Sequence, residues 1–396
     1  MSTATKFTSK NEAARRYTAG YAVLTAITFS MVASAPTPIY RLYQETLGLT
    51  PLAITLIFAI YSLTMVAAFL TVARLSDFIG RKPTILAALM LNALALVIFI
   101  EANTSTVLMV ARAVQGIATG IALATLGALI ADAAPEAAAV LNSITAFIGL
   151  MVGSLVAGSL VAYLPWPTQL VFALLLCVTL AEMIALHFIH ETAPYKAGAM
   201  AVLRPNLMVP AAAVRPMLRL FPLTLSGWAL GGFYLSLMPS LVVAATGVHS
   251  PLVGAAVVST LMLSGGISVL ALRGLRAPIA VLTASLLLAI GIALTMVAIY
   301  AGSPAGMLFG TIISGVGFGS SYGAALRTLL PLAASHERAG LLSAYFVASY
   351  LSFALPAVGA GLATPYYGLV KTALAYGTVL ALCALTTFIF QMASRR

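Results

Sequence analysis

Twelve apolar stretches, each close to the length of a bilayer crossing and set apart by short polar breaks, leave this 396-residue chain few ways to fold. Inside hydrocarbon every backbone N–H and C=O needs a partner within the protein, and a helix supplies those partners locally. With 62% hydrophobic and 7% charged residues and a mean hydropathy of +1.08, the chain carries more apolar surface than a water-soluble core could bury. The expected fold is an all-α integral membrane protein. The stretches fall at 18–40, 51–72, 83–99, 106–130, 138–164 and 169–190, then at 218–246, 251–272, 278–300, 304–330, 340–364 and 369–392. Between the two sets the apolar character breaks at Pro194, Lys196, Arg204, Pro205, Pro210, Arg215 and Pro216. The organisation is therefore a tail at 1–17, a six-helix bundle at 18–190, a linker at 191–217, a second six-helix bundle at 218–392 and a tail at 393–396. Ala33-Ser34-Ala35 imitates a signal-peptidase site, but the stretch around it is long enough to span and many more follow, so a retained first helix is expected.

The formal net charge of +11 would suggest nucleic acid in a soluble protein. Here the basic residues sit in short loops between spans, and the expected macromolecular environment is the lipid bilayer, with no nucleic acid. With the N-terminus inside, the cytoplasmic side receives 17 of the 20 Lys and Arg; the opposite side receives only Arg41 and Lys371, and Arg112 lies within a span. That asymmetry places both termini in the cytoplasm of a multi-pass plasma-membrane protein, in a bacterium the inner membrane. The two cysteines, Cys177 and Cys383, lie in apolar stretches far apart and offer neither a disulfide framework nor metal-ligand spacing. No metal and no cofactor are expected.

One short charged turn, Ala73-Arg74-Leu75-Ser76-Asp77-Phe78-Ile79-Gly80-Arg81-Lys82-Pro83, separates the second and third spans. Gly80 permits a tight turn, Arg81 and Lys82 hold one side of the bilayer, and Pro83 suits the first turn of the next helix. Asp77 can pair with guanidinium groups or sit against the positive end of a neighbouring helix, which makes it a candidate latch. The halves also echo each other at an offset near 200 residues: Gln115-Gly116 aligns with Ser314-Gly315, Glu136 with Glu337, and Leu141-Asn142-Ser143 with Leu341-Leu342-Ser343. Parallel repeats of this kind are a transporter signature.

These residues resemble the major facilitator superfamily. Leu75, Asp77, Gly80, Arg81 and Lys82 match its loop between the second and third helices, with Ala73 in place of the first glycine and Phe78 in place of an arginine. Arg112-Ala113-Val114-Gln115-Gly116 is similar to the fourth-helix element of the branch containing twelve-helix drug:proton antiporters. That branch's fifth-helix element is partly present as Gly149, Gly153, Ser154, Ala157 and Gly158, with Ser154 where the pattern has proline. The resemblance implies two pseudo-symmetric bundles rocking about a central site. It also implies a latch in which Asp77 faces the start of the eleventh helix near Gly340 and Arg81 bridges to Asp132.

Arg112 lies six residues into its stretch, about 9 Å deep at ~1.5 Å per residue, where an unpaired guanidinium is costly. Gln115, Gly116, Thr119 and Gly120 follow on the same helical face. Two readings stand: Arg112 organises a network on the central pathway, or it snorkels to the outer surface. Glu182 is the one acid well inside a stretch; it either titrates during transport or is satisfied by His187 or another helix. Tyr40, Tyr61, Trp228, Tyr234, Tyr322, Tyr345 and Tyr350 either line an amphipathic cavity or serve as packing and interface belts, with Tyr40 and Tyr234 taken as the candidates for the pathway. Gly116, Gly120, Gly149, Gly153 and Gly158 are expected at close helix packing or hinges. Enzyme chemistry has no site: His336-Glu337 lacks the second histidine of a zinc motif, and Gly315-Val316-Gly317-Phe318-Gly319 follows no strand. The favoured expectation is a secondary transporter, monomeric and powered by the proton gradient, that exports a small amphipathic drug or metabolite. The alternative is proton-coupled uptake of a small, anionic solute.

Overall fold

The computed structural model describes residues 2–72, 74–198, 207–334 and 336–393, with side chains from residue 12 onward. Ala73 of the charged turn, Arg204 and Pro205 of the linker, and Arg395 and Arg396 of the C-terminal tail lie outside the described residues. The first half comprises α1 (Ser2–Ser34), the short α2 (Tyr40–Leu47), α3 (Pro51–Val72), the single turn α4 (Ser76–Ile79), α5 (Arg81–Ile100), α6 (Ser105–Ala133), α7 (Ala138–Tyr163) and α8 (Leu170–Leu186). The second comprises α9 (Ala211–Ser236), α10 (Met238–Thr246), α11 (Pro251–Ala271), α12 (Ala277–Tyr300), α13 (Pro304–Leu329), α14 (Arg338–Tyr367) and α15 (Leu369–Ala393).

Among the described residues, nine helices are long and apolar enough to cross a membrane, and ten if the bent pair α9 and α10 counts as one span. The 17-residue apolar α8 and the glycine- and serine-rich α13 complete two sets of six. Several boundaries differ from the hydropathy reading. The first crossing stops at Ser34, not at residue 40, because Pro36 and Pro38 end the helix. Residues 2–17, expected as a separate tail, continue α1: no proline interrupts them, and Arg16 pairs with Glu12 one turn back at 2.7 Å. The second bundle begins at Ala211, so the linker's last residues, Arg215 and Pro216, are already helical behind the capping Pro210. The stretch 218–246 is two helices bent by 72° at Leu237, ahead of Pro239.

Lipid tails are as apolar as leucine, so packing within the bundles depends on close approach rather than on hydrophobic exclusion. On α6, a side chain at Gly116 would strike Thr64 and the Tyr61 carbonyl of α3, and one at Gly120 would come within 2.5 Å of the Met65 carbonyl. The second half repeats the seam: Gly315 and Gly319 of α13 press on Ser264 and on the Gly265 carbonyl of α11. Gly149 and Gly153 of α7 lie against Ser30, Met31 and Ser34 of α1, whereas Gly158 meets Ala255 of α11 across the halves.

The long helices alternate between a basic end, carrying Arg81, Lys82, Arg273 and Arg327, and a far end, carrying Arg41 and Lys371. At the far end the halves are tied directly. The Thr37 hydroxyl donates to the Leu235 carbonyl at 2.8 Å, the Ser240 hydroxyl to Gln44 Oε1 at 2.8 Å, and Arg41 Nη2 lies 3.0 Å from His249 Nδ1. Replacing Gly319 with leucine, which forces α13 off α11, should cost ~1–3 kcal/mol or more. It should lower the midpoint of thermal unfolding of the purified protein, while leucine at Gly359, which faces open space, should not.

Candidate functional site

Between the bundles lies a cavity of about 200 Å³. Its lining from α1, α3 and α9 starts near the far end (Ser30, Ala33, Phe58, Leu235), and from α6, α7, α13 and α14 it continues toward the basic end (Leu123, Asn142, Ser143, Tyr322, Phe346). Rings dominate the wall. Phe58 and Phe353 meet across the halves at 4.9 Å between centroids, Trp228 and Tyr350 pack at 4.9 Å, and Phe147 meets Phe318 edge-on at 5.7 Å. Each such pair adds ~0.5–1.5 kcal/mol beyond the area it buries. No Asp, Glu, Lys, Arg or His is among the described residues lining this cavity.

Arg112 stands one layer behind that wall, fully buried, which removes the snorkelling alternative. Its position follows from a break in α1. Pro36 has no N–H, so the Val32 carbonyl loses its helical partner, and the Thr37 amide turns to Ser34, which frees the Ala33 carbonyl. α6 answers both. Gln115 Nε2 donates to the Val32 carbonyl at 2.8 Å, and Arg112 Nη1 donates to the Ala33 carbonyl at 3.0 Å and to Gln115 Oε1 at 2.7 Å. Arg112 Nε donates to the Tyr40 hydroxyl at 3.0 Å, and Nη2 donates to the same oxygen. The guanidinium carbon lies 5.1 Å from the Tyr61 ring centre and 5.6 Å from that of Tyr40. These bonds use four of the guanidinium's five N–H groups, and no carboxylate is among its described partners. Tyr61, Ala33 and Thr119, whose hydroxyl donates to the Gln115 carbonyl at 2.8 Å, connect this cluster to the cavity.

Glu182 lies elsewhere. It faces α1 on the side away from the cavity, where Thr28 donates to its Oε1 at 2.6 Å and the Tyr21 hydroxyl to its backbone carbonyl at 3.1 Å, while Oε2 is buried without a partner among the described residues. Neither His187 nor another charge satisfies it in the described contacts. Tyr234 is buried beside the second bundle's α13, its hydroxyl 2.8 Å from that of Thr311.

The charged turn forms a compact cluster within the first half. Arg81 Nη1 donates to Asp77 Oδ1 at 2.5 Å and to the Ser76 hydroxyl at 2.7 Å, and Arg81 Nε donates to Asp132 Oδ2 at 3.2 Å. The expected Arg81 to Asp132 bridge is therefore present, but Asp77, 46% exposed, pairs with Arg81. Gly340 of α14 is met by the linker: the Met208 amide donates to its carbonyl at 3.4 Å. Lys82 reaches the His187 carbonyl at 3.3 Å. One member of the cluster, Glu191, has no local sequence signal. Its carboxylate accepts from the Arg81 and Lys82 amides at 2.7 and 3.0 Å, capping α5 from 110 residues downstream. Gly80 is required there twice over. Its φ of +97° suits glycine, and a side chain would sit 2.6 Å from Glu191 Oε2.

No curated protein matches the sequence. Among solved structures, a POT family transporter in complex with 5-aminolevulinic acid superposes with a TM-score of 0.77 at 12% identity, over 96% of each chain. A point mutant of the nucleoside transporter NupG superposes with a TM-score of 0.73 at 12% identity, over 94% of this chain and 99% of that one. At that identity the likeness concerns the fold. The family model of the Major Facilitator Superfamily matches residues 22–357, from the first crossing into α14, and the chain belongs to that superfamily.

Proposed function

We propose that this secondary transporter exports a small amphipathic compound in exchange for protons, the two bundles rocking so that the central cavity opens first to one side and then to the other. One observation carries the reading: an uncharged, ring-walled cavity lies between the bundles, reaches toward the basic end, and is shut at the far end by hydrogen bonds that join the halves. With the basic end cytoplasmic in a plasma membrane, as the loop charges favour, this is a conformer that collects solute from inside. The Arg112 to Gly116 element supports the drug:proton antiporter branch. Glu182 is the proton's carrier in this scheme, coupled to the cavity through α1, whose Thr28 holds it and whose Ser30 lines the cavity two residues on. The Asp77, Arg81 and Asp132 cluster acts as the latch when the basic end closes, and the chain works as a monomer. The alternative, uptake of an anionic solute with protons, is favoured by one feature, the absence of a carboxylate among Arg112's described partners.

Sealed vesicles with an imposed pH gradient test this directly. A solute screen should find a compound whose addition moves protons, and Glu182→Gln should lower that proton movement at least tenfold at equal protein abundance. Proton movement unchanged in the variant would remove Glu182 from the scheme, and solute moving in the same direction as the proton would establish the alternative. Asp77→Asn should slow transport severalfold without lowering surface abundance; transport at the normal rate would remove the latch.

A further inference from the structure

The two walls of the cavity differ in kind, and the internal repeat shows by how much. The offset that aligns Gly116 with Gly315 and Gly120 with Gly319 aligns Arg112 with Thr311 and Thr119 with Phe318. In the first bundle the charged position is a buried guanidinium with neutral partners, and the cavity-facing position is a hydroxyl. In the second the same two positions are a threonine, hydrogen-bonded to Tyr234, and a phenyl ring. Around Phe318 the second bundle adds Trp228, Tyr350 and Phe353, packed ring to ring. The cavity thus has on one side Ser30, Thr119, Asn142 and Ser143 set among apolar residues in front of a buried cation, and on the other an almost continuous aromatic wall.

We propose that the cavity takes a flat aromatic solute with a neutral or anionic head and rejects its cationic counterpart. The ring lies against Trp228 and Phe318, the head points to Tyr61 and Thr119, and Arg112 sets the charge preference through the wall. The proposal rests on the reading of this cavity as the solute site. A unit charge about 10 Å away, acting through an effective dielectric of ~20, biases occupancy on the order of tenfold. No carboxylate among the described lining residues offsets that bias. Arg112 acts here as a specificity-determining residue without touching the solute.

The chain carries two tryptophans, Trp228 on the wall and the exposed Trp166, so Trp166→Phe leaves one fluorescent reporter inside the site. Full-length protein in zwitterionic nanodiscs is titrated with three quenchers that share a 4-nitrobenzyl body and carry small heads: 4-nitrophenylacetate, 4-nitrobenzyl alcohol and 4-nitrobenzylammonium. At ~0.5 M salt the surface charge is screened within a few ångströms while the field of the buried guanidinium persists. The expected result is an anion and an alcohol that each bind at least tenfold more tightly than the ammonium. Arg112→Gln should abolish the difference, and Arg112→Lys should retain it. Asn142→Asp, on the exposed polar wall, should reverse the preference toward the ammonium with Arg112 intact, which keeps the test alive if Arg112→Gln fails to fold. Equal binding of all three, a preference that survives Arg112→Gln or Asn142→Asp, or no quenching at all would overturn the proposal. The function fails separately: probes that bind in the expected order while vesicles transport no solute leave the site standing and remove the transport reading, whereas transport of a cationic solute does the opposite.

Discussion

Pro36 leaves the Val32 carbonyl without its helical donor inside the membrane, the adjacent turn frees that of Ala33, and the far half of the first bundle is built around meeting that demand. An unsatisfied carbonyl in hydrocarbon costs several kcal/mol. Gln115 and Arg112 supply the donors, and Tyr40, placed by the turn that the same proline creates, receives the rest of the guanidinium. A helix break, a buried cation and a tyrosine on a short helix are thus one arrangement. Hydrogen bonds to a charged group are worth ~1.5–3 kcal/mol each, enough to hold Arg112 dry but not to cancel its field. One guanidinium proton goes to the Ala33 carbonyl, and the charge that comes with it is what the cavity would feel.

The glycine seams have a complementary part. They bring α6 against α3, and α13 against α11, at backbone distance, so each bundle behaves as a stiff unit. The bundles themselves meet along two long helix pairs, α7 on α11 and α3 on α14, where Gly158 presses on Ala255 and a side chain at Gly361 would strike Thr55, and through rings and far-end hydrogen bonds. A rocking motion would need stiff bundles of this kind and would turn about these two helix pairs.

Much of this was legible from the chain. The two sets of six, the basic loops and the depth of Arg112 follow from hydropathy and charge, because a bilayer leaves so little choice. The end of α1 was not, although Pro36 and Pro38 were in plain view: residues 35–40 are apolar enough to extend the span on hydropathy alone. Glu182 could not be placed, since the sequence gives its depth but not which neighbour its face meets. The ring wall was half legible for a related reason. The sequence marks Trp228, Tyr322 and Tyr350 as able either to line a cavity or simply to pack, and only the halves set side by side decide between the two. Glu191 was out of reach altogether, its partners lying 110 residues upstream.

The contact between Met208 and Gly340 bears on how the basic end can close. Met208 of the connecting segment packs against Gly340 at the start of α14, beside the helix end whose free amides an approaching carboxylate would seek. That segment is also fastened to the first bundle by the Lys196 amide on the Phe78 carbonyl, so it is a strap moored at both banks. For Asp77 to dock on α14 as the proposed latch it would have to pass Met208, so the peptide joining the halves would stand beside the seat that its neighbouring loop approaches.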